Sequence, residues 1–198
     1  MNPLKVLGVG GSMREGSYGT RTVKIVLDAI KKHEARTLLL DLRQIAMPMF
    51  SHDSTNNSDK NFQKATDQVN WADAFVLASP DYHGSISGSL KNFLDHYWEE
   101  FAGKTFGYIC TSHEKGLTVM DQMRTAVRQC YGWSLPYGVS VNAEEDFNEA
   151  GEIINDLLNK RLRILARDLV IYGRLIRDQF LQDISGDVSD TFAARYRL

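Results

Sequence analysis

The sequence predicts a three-layer α/β domain in which helices cover both faces of an open parallel sheet. Three observations predict it. Short apolar runs alternate with longer amphipathic runs along most of the chain. The short runs are apolar on successive residues, as in strands buried on both faces. The segments between them are long enough for the right-handed helical crossovers that parallel neighbours require. The 198 residues are 43% hydrophobic and 24% charged, which suits one domain, 1–198, with a packed core and excludes disorder.

The elements follow in order. Residues 4–10 (LKVLGVG) are apolar, end in glycine and read as a buried strand. Residues 17–32 place Val23, Val26, Leu27 and Ile30 at helical spacing. Residues 37–42 (TLLLDL) form the second strand, 61–71 a helix and 74–79 (AFVLAS) the third strand. Across 87–101, Leu90, Phe93, Leu94, Tyr97, Trp98 and Phe101 make one stripe, which predicts a continuous helix. The fourth strand is 105–111 (TFGYICT), followed by a helix over 117–130 and a short fifth strand over 137–141. A long helix over 153–172 closes the domain, and the tail from 174 to 198 is polar and weakly patterned. The acidic run Glu144-Glu145-Asp146 reads as a solvated helix approach or N-terminal turn.

The charge balance is 23 basic against 25 acidic residues, so no basic excess exists to drive nucleic-acid binding. No apolar run reaches the roughly 18–20 residues of a membrane span, and the N-terminus lacks a secretory pattern. Cys110 and Cys130 read as packed thiols, and both features favour a reducing cytoplasm. Five histidines form no metal-binding pair, so no catalytic metal is expected.

An open sheet of this kind takes either the flavodoxin order 2-1-3-4-5 or a Rossmann order, and both place ligands beyond the carboxyl ends of the strands. The loops after the first, third and fourth strands are also the most polar and glycine-rich. The first, 10–21 (GGSMREGSYGTR), joins a strand to a helix. Its glycines admit a ligand to the backbone, Ser12 and Ser17 add donors, and free N–H groups at the helix start favour an anion. Arg14 can grip a phosphate with two prongs. Neither the Walker nor the dinucleotide glycine spacing is present. The third loop (SPDYHGSISGSLKNFLD, 79–95) offers backbone groups to a flat polar heterocycle, with Tyr82 supplying apolar surface.

These two loops resemble those of the NADPH-dependent FMN reductase family, flavodoxin-like enzymes that include quinone, azo-dye and chromate reductases. The first signature is carried by Gly11, Ser12, Arg14 and Ser17. The second runs through Pro80, Asp81, Tyr82, His83, Ser85, Gly88, Leu90, Lys91, Asn92 and Asp95. The likeness spans roughly residues 4–172. It implies the order 2-1-3-4-5 and an FMN whose phosphate meets Ser12, Arg14 and Ser17. Many members carry Asn where Gly19 stands here, with Thr20 beside it as the substitute. The ring is expected along Pro80, Asp81, Tyr82, His83, Gly84 and Ser85, with Ser112 from the loop after the fourth strand. His113 reads as an exposed loop histidine.

The resemblance further implies hydride transfer from NADPH or NADH to FMN and on to a quinone, flavin, azo or metal-oxyanion acceptor by a ping-pong route. It also implies a homodimer or homotetramer, with the 87–101 helix as a candidate interface. The His83-Gly84 pair is similar to organoarsenical-oxidising flavoproteins, and a non-enzymatic flavodoxin-like electron carrier is the other alternative.

Overall fold

Strand β1 (Lys5–Gly10) lies inside the sheet, because it is apolar enough to be covered on both faces. It pairs in parallel with β2 (Arg36–Asp41) on one side and β3 (Ala74–Pro80) on the other. Strand β4 (Thr105–Thr111) follows β3, with Pro80 in register against Thr111. The computed structural model describes residues 2–53 and 58–196.

The fifth position of the sheet is split. Strand β5 (Trp133–Ser134) pairs with the start of β4, and β6 (Val139–Val141) pairs with its end. The path is therefore β2-β1-β3-β4-β5, with β6 also on β4. The expected strand over 137–141 is thus shorter, and a second segment precedes it. Pro136 stands between the two and has no N–H to give the ladder.

Alternate residues of each strand feed two cores. Leu7, Phe75, Leu77 and Phe106 face α2 (Lys60–Trp71), α3 (Gly88–Asp95) and α4 (Leu117–Gln129). Phe75 and Phe106 stack there with centroids 4.6 Å apart. Val6, Val76 and Ile109 face α1 (Tyr18–Lys31) and α6 (Asp156–Ser185). A one-turn helix, α5 (Ala143–Asp146), follows β6.

Three expectations are corrected by the packing. The stripe over 87–101 is not one helix: α3 ends at Asp95, and a 3-10 turn follows at Glu99–Phe101. The Glu100 carboxylate accepts the Trp98 N–H at 2.8 Å and takes the place of a helical carbonyl. Tyr97 and Phe101 still reach the core, but Trp98 is left 62% exposed. The closing helix runs on to Ser185 through the segment that reads as a weakly patterned tail. Phe180 then covers Gly103, and Phe192 lies against Tyr131 with ring centroids 5.2 Å apart. Asp146 is buried rather than solvated, and it accepts from the Asn142 N–H and the Asn155 amide.

Candidate functional site

The carboxyl ends of β1, β3, β4 and β6 open onto one cleft, and each contributes a loop. The first loop leaves β1 at Gly11, whose N–H still bonds Ala78 O at 2.8 Å. The Ser87 and Ser89 hydroxyls both donate to Gly11 O and fix the chain where it leaves the sheet. Ser12 is buried, and its hydroxyl accepts the Arg14 N–H at 3.2 Å. Ser17 caps α1 by accepting from Thr20 N. The first turn of α1 carries no acidic residue, so its amide dipoles face the cleft uncompensated.

Polar capacity is left over at this mouth. The Thr20 and Thr111 hydroxyls are buried and have no hydrogen-bond partner among the described residues. Thr20 Oγ1 lies 2.5 Å from where a side chain on Gly10 would begin, so only glycine fits there. Thr111 Oγ1 and Ser17 Oγ lie 3.1 and 3.6 Å from the corresponding point on Gly19. The Arg14 guanidinium forms no ion pair among the described residues. Together these groups make a glycine-floored cradle of unused donors, which fits a phosphate monoester.

The loop after β3 is built in the opposite way. Tyr82 and Ser85 exchange both backbone hydrogen bonds, at 3.0 and 3.1 Å, and close a tight turn. The central residues have positive φ, 59° at His83 and 76° at Gly84, as a hairpin turn of the primed type requires. Asp81 accepts the Gly84 N–H at 2.8 Å and the Ser112 hydroxyl at 3.0 Å, tying the turn to the loop after β4. From α4, Gln122 donates to Gly84 O and Ser85 Oγ and accepts from Ile86 N. The turn holds Tyr82 half exposed as an aromatic surface.

A cavity of about 610 Å³ joins the two loops, with Ser12, Arg14 and Ser17 on one wall and Pro80, Tyr82 and Ser112 on another. That volume suits one mononucleotide-sized ligand. Gly19 and Thr20 are buried in the first turn of α1, behind the cavity wall and not on it. His83 and Gly84 line the adjoining cavity, with Ser85 beyond them on the side of α4. His113 is exposed at the junction of the two cavities. Burial, with the Asp81 charge as the lesser cause, pushes the Cys110 thiol behind this site up to about 12, so it is no nucleophile.

Sequence reasoning missed Gln122 and the segment 142–149, which closes the cleft through Phe147 and Glu144, and from the loop after β4 it singled out Ser112 rather than Thr111. Thr111 becomes visible only once β4 is placed beside β3. Gln122 lies 38 residues from Gly84 and carries no local signal. The second half of the long motif proves structural. Asn92 ties the 48–50 segment to α3, accepting from Phe50 N and donating to Pro48 O, and Lys91 pairs with Asp95.

Comparison with known proteins agrees with this geometry. The fold resembles the flavoenzyme NAD(P)H:(acceptor) oxidoreductase FerB from Paracoccus denitrificans, with a TM-score of 0.71, 19% identity, and 87% of this chain and 98% of that one covered. It also resembles an archaeal flavodoxin, with a TM-score of 0.59, 11% identity, and 86% and 99% covered. The molecule is thus a flavodoxin-like α/β protein. Residues 4–146 match the model of the NADPH-dependent FMN reductase family, and the chain belongs to that family. An FMN-dependent NADPH-azoreductase from Staphylococcus saprophyticus is 28% identical over 172 residues, covering 83% of this chain and 90% of the relative. An NAD(P)H-dependent FAD/FMN reductase from Geobacillus thermodenitrificans is 26% identical, covering 84% and 92%. Among the described residues, no helix is long and apolar enough to cross a membrane.

Proposed function

We propose that the chain is an FMN-dependent NAD(P)H oxidoreductase that passes electrons to a small acceptor by a ping-pong route. The observation that supports this most strongly is the pairing of unlike walls in one cavity. One wall carries Arg14 and Thr111, with the unpartnered Thr20 hydroxyl buried behind it, and the other carries the preformed Tyr82 turn. A ligand with a charged tail and a flat aromatic head satisfies both.

FMN, held there, supplies hydride acceptance and donation. The protein's own residues do the rest. Ser12, Arg14, Ser17, Gly19 and Thr20 bind the phosphate, and each charge-assisted hydrogen bond contributes about 1.5–3 kcal/mol. Pro80 to Ser85 carry the ring, with Ser112 and Asp81 holding that turn in place. Stacking in the open cleft makes the transfer effectively intramolecular, so orientation rather than a side-chain base lowers the barrier. Quinones, flavins, azo dyes and metal oxyanions are the acceptor classes for such an open site. A cytoplasmic homodimer or homotetramer is the proposed form, with exposed Trp98 at the contact.

The test is direct. Purified protein should carry FMN, identified by mass after release, and anaerobic NADPH should bleach its visible band within seconds. A protein that binds FMN but is not reduced by NADPH is an electron carrier. One that refuses FMN at saturation sinks the reading altogether.

A further inference from the structure

The FMN reading fills the first cavity and leaves a larger one beside it without an occupant. This second cavity, of about 950 Å³, opens off the ring site and shares Asp81, His113 and Glu114 with it. Its volume suits one further flat ligand. Leu117, exposed at the start of α4, gives it an apolar wall. An electron acceptor must come into contact with the ring, and this cavity is open space that adjoins it.

Negative charge is concentrated at this mouth. The second cavity sets Asp81, Glu114, Glu145 and Asp146 against one amine, Lys115. The first adds Glu144 and Glu149 and one guanidinium, Arg14. The two linings together hold six carboxylates against two cations, a formal −4 with histidines neutral, whereas the whole chain carries only −2. A phosphate seated on Arg14 occupies one of those two cations. Among the described residues, no ion pair joins any of the six carboxylates to a cation. Two of them are held by neutral donors, which orient a carboxylate without cancelling its charge. Asp81 accepts from the Gly84 N–H and the Ser112 hydroxyl, and Asp146 from the Asn142 N–H and the Asn155 amide. Glu114 and Glu145 are exposed on the rim, and the Ser140 hydroxyl ties the Glu114 backbone to β6 by donating to its carbonyl at 3.2 Å.

A single exposed charge is screened and contributes little. Charges of one sign that line a cleft act together, because its low-dielectric walls focus their field into the opening. The field here draws cations towards the ring and repels anions. We propose that the second cavity seats the electron acceptor and ranks acceptors by charge, favouring a flat ring that carries a positive group over sulfonated dyes and metal oxyanions. This inference rests on the oxidoreductase reading above and narrows its substrate class. For a quinone, each turnover oxidises one NADPH and yields one hydroquinone: the hydride brings two electrons and one proton, and solvent supplies the second proton.

The test uses the full chain loaded with FMN and three naphthoquinones. They share one ring and one short alkyl chain, which ends in a trimethylammonium, a hydroxyl or a sulfonate group, so their reduction potentials match. The flavin is reduced anaerobically with one equivalent of NADPH, and its second-order reoxidation by each quinone is followed by stopped flow. Reduction is complete beforehand, so the effect of the field on NADPH does not enter the comparison. At an ionic strength of about 0.01 M the cationic quinone should react about tenfold or more faster than the anionic one, with the neutral quinone between them. At about 0.5 M salt most of that gap should close. The double variant Glu114→Gln, Glu145→Gln should shrink the low-salt gap by about threefold. Asp28→Asn removes an acid near the other end of α1, also exposed, and should leave the gap unmoved. Equal rates for the three quinones at low salt overturn the proposal. So does a gap that the double variant leaves intact, or one that Asp28→Asn closes as far, which would assign it to net charge. FMN content and reduction by NADPH are read on the same samples. A chain that holds FMN and is reduced by NADPH but treats the three quinones alike refutes this inference alone. One that takes up no FMN, or is not reduced, refutes the oxidoreductase reading and this inference with it.

Discussion

The loop after β1 and the turn after β3 face each other across one cleft, yet they are built on opposite principles. The first is polar and unfinished: among the described residues Arg14 forms no ion pair, and the buried Thr20 and Thr111 hydroxyls have no partners. The second is finished. Asp81, Ser112 and Gln122 satisfy nearly every group that the Tyr82–Ser85 turn exposes. A buried donor without a partner is costly, and a ligand that supplies the acceptor recovers that cost. A hydrogen-bonded turn has already lost its conformational entropy and can present an aromatic face without reorganising. The unfinished loop therefore suits recognition of charge, and the finished turn suits recognition of a flat ring.

This contrast can be broken by changing each side separately, with FMN and riboflavin as paired probes. The largest effect belongs to Arg14→Ala, which should weaken FMN by about 1.5–3 kcal/mol, roughly ten- to hundredfold in Kd. It should barely touch riboflavin, which has no phosphate. Equal losses for both ligands in a fluorescence titration would place Arg14 at the ring instead.

Next comes the pair Thr20→Val and Thr111→Val. Each removes a hydroxyl at nearly constant shape and should cost FMN affinity about 1 kcal/mol. Urea denaturation of the FMN-free protein should show no loss of stability, because the hydroxyls deleted have no partner there. A clear destabilisation without ligand would show that they serve packing.

Tyr82→Ala should cost about 1 kcal/mol, and here FMN and riboflavin should suffer alike, since the ring is common to both. A loss confined to FMN would mean that Tyr82 senses the phosphate end. The smallest effect is expected from Gln122→Ala, about 0.5–1 kcal/mol, through a looser turn. Its signature is faster amide exchange at Ile86, whose N–H the Gln122 carbonyl accepts. Unchanged exchange would show that the turn stands without α4.

Much of this was legible in the chain itself, and the reasons differ by element. Strands β1, β3 and β4 were readable because both faces of the parallel sheet are covered there, which leaves uninterrupted apolar runs such as 74–79. The cradle was readable because a strand, a glycine-rich loop and a capped helix follow one another in sequence, with Ser17 acting as the cap. The break in the 87–101 helix was not, because Tyr97 and Phe101 keep their helical spacing and still reach the core. The helix ends because the Glu100 side chain captures the Trp98 N–H, a competition that periodicity does not report. Asp146 looked like one of three solvated acids, yet its partner Asn155 caps a different helix.

The sequence by itself determined the layered α/β architecture, the family motifs and the residues of the charged loop, because each is written in consecutive residues. Only the tertiary structure decided which distant groups complete the site. Thr111 joins Ser17 beneath Gly19, and Gln122 locks a turn 38 residues away. These groups meet because parallel strands bring the ends of separate crossovers to one edge, and no local pattern records which of them become neighbours.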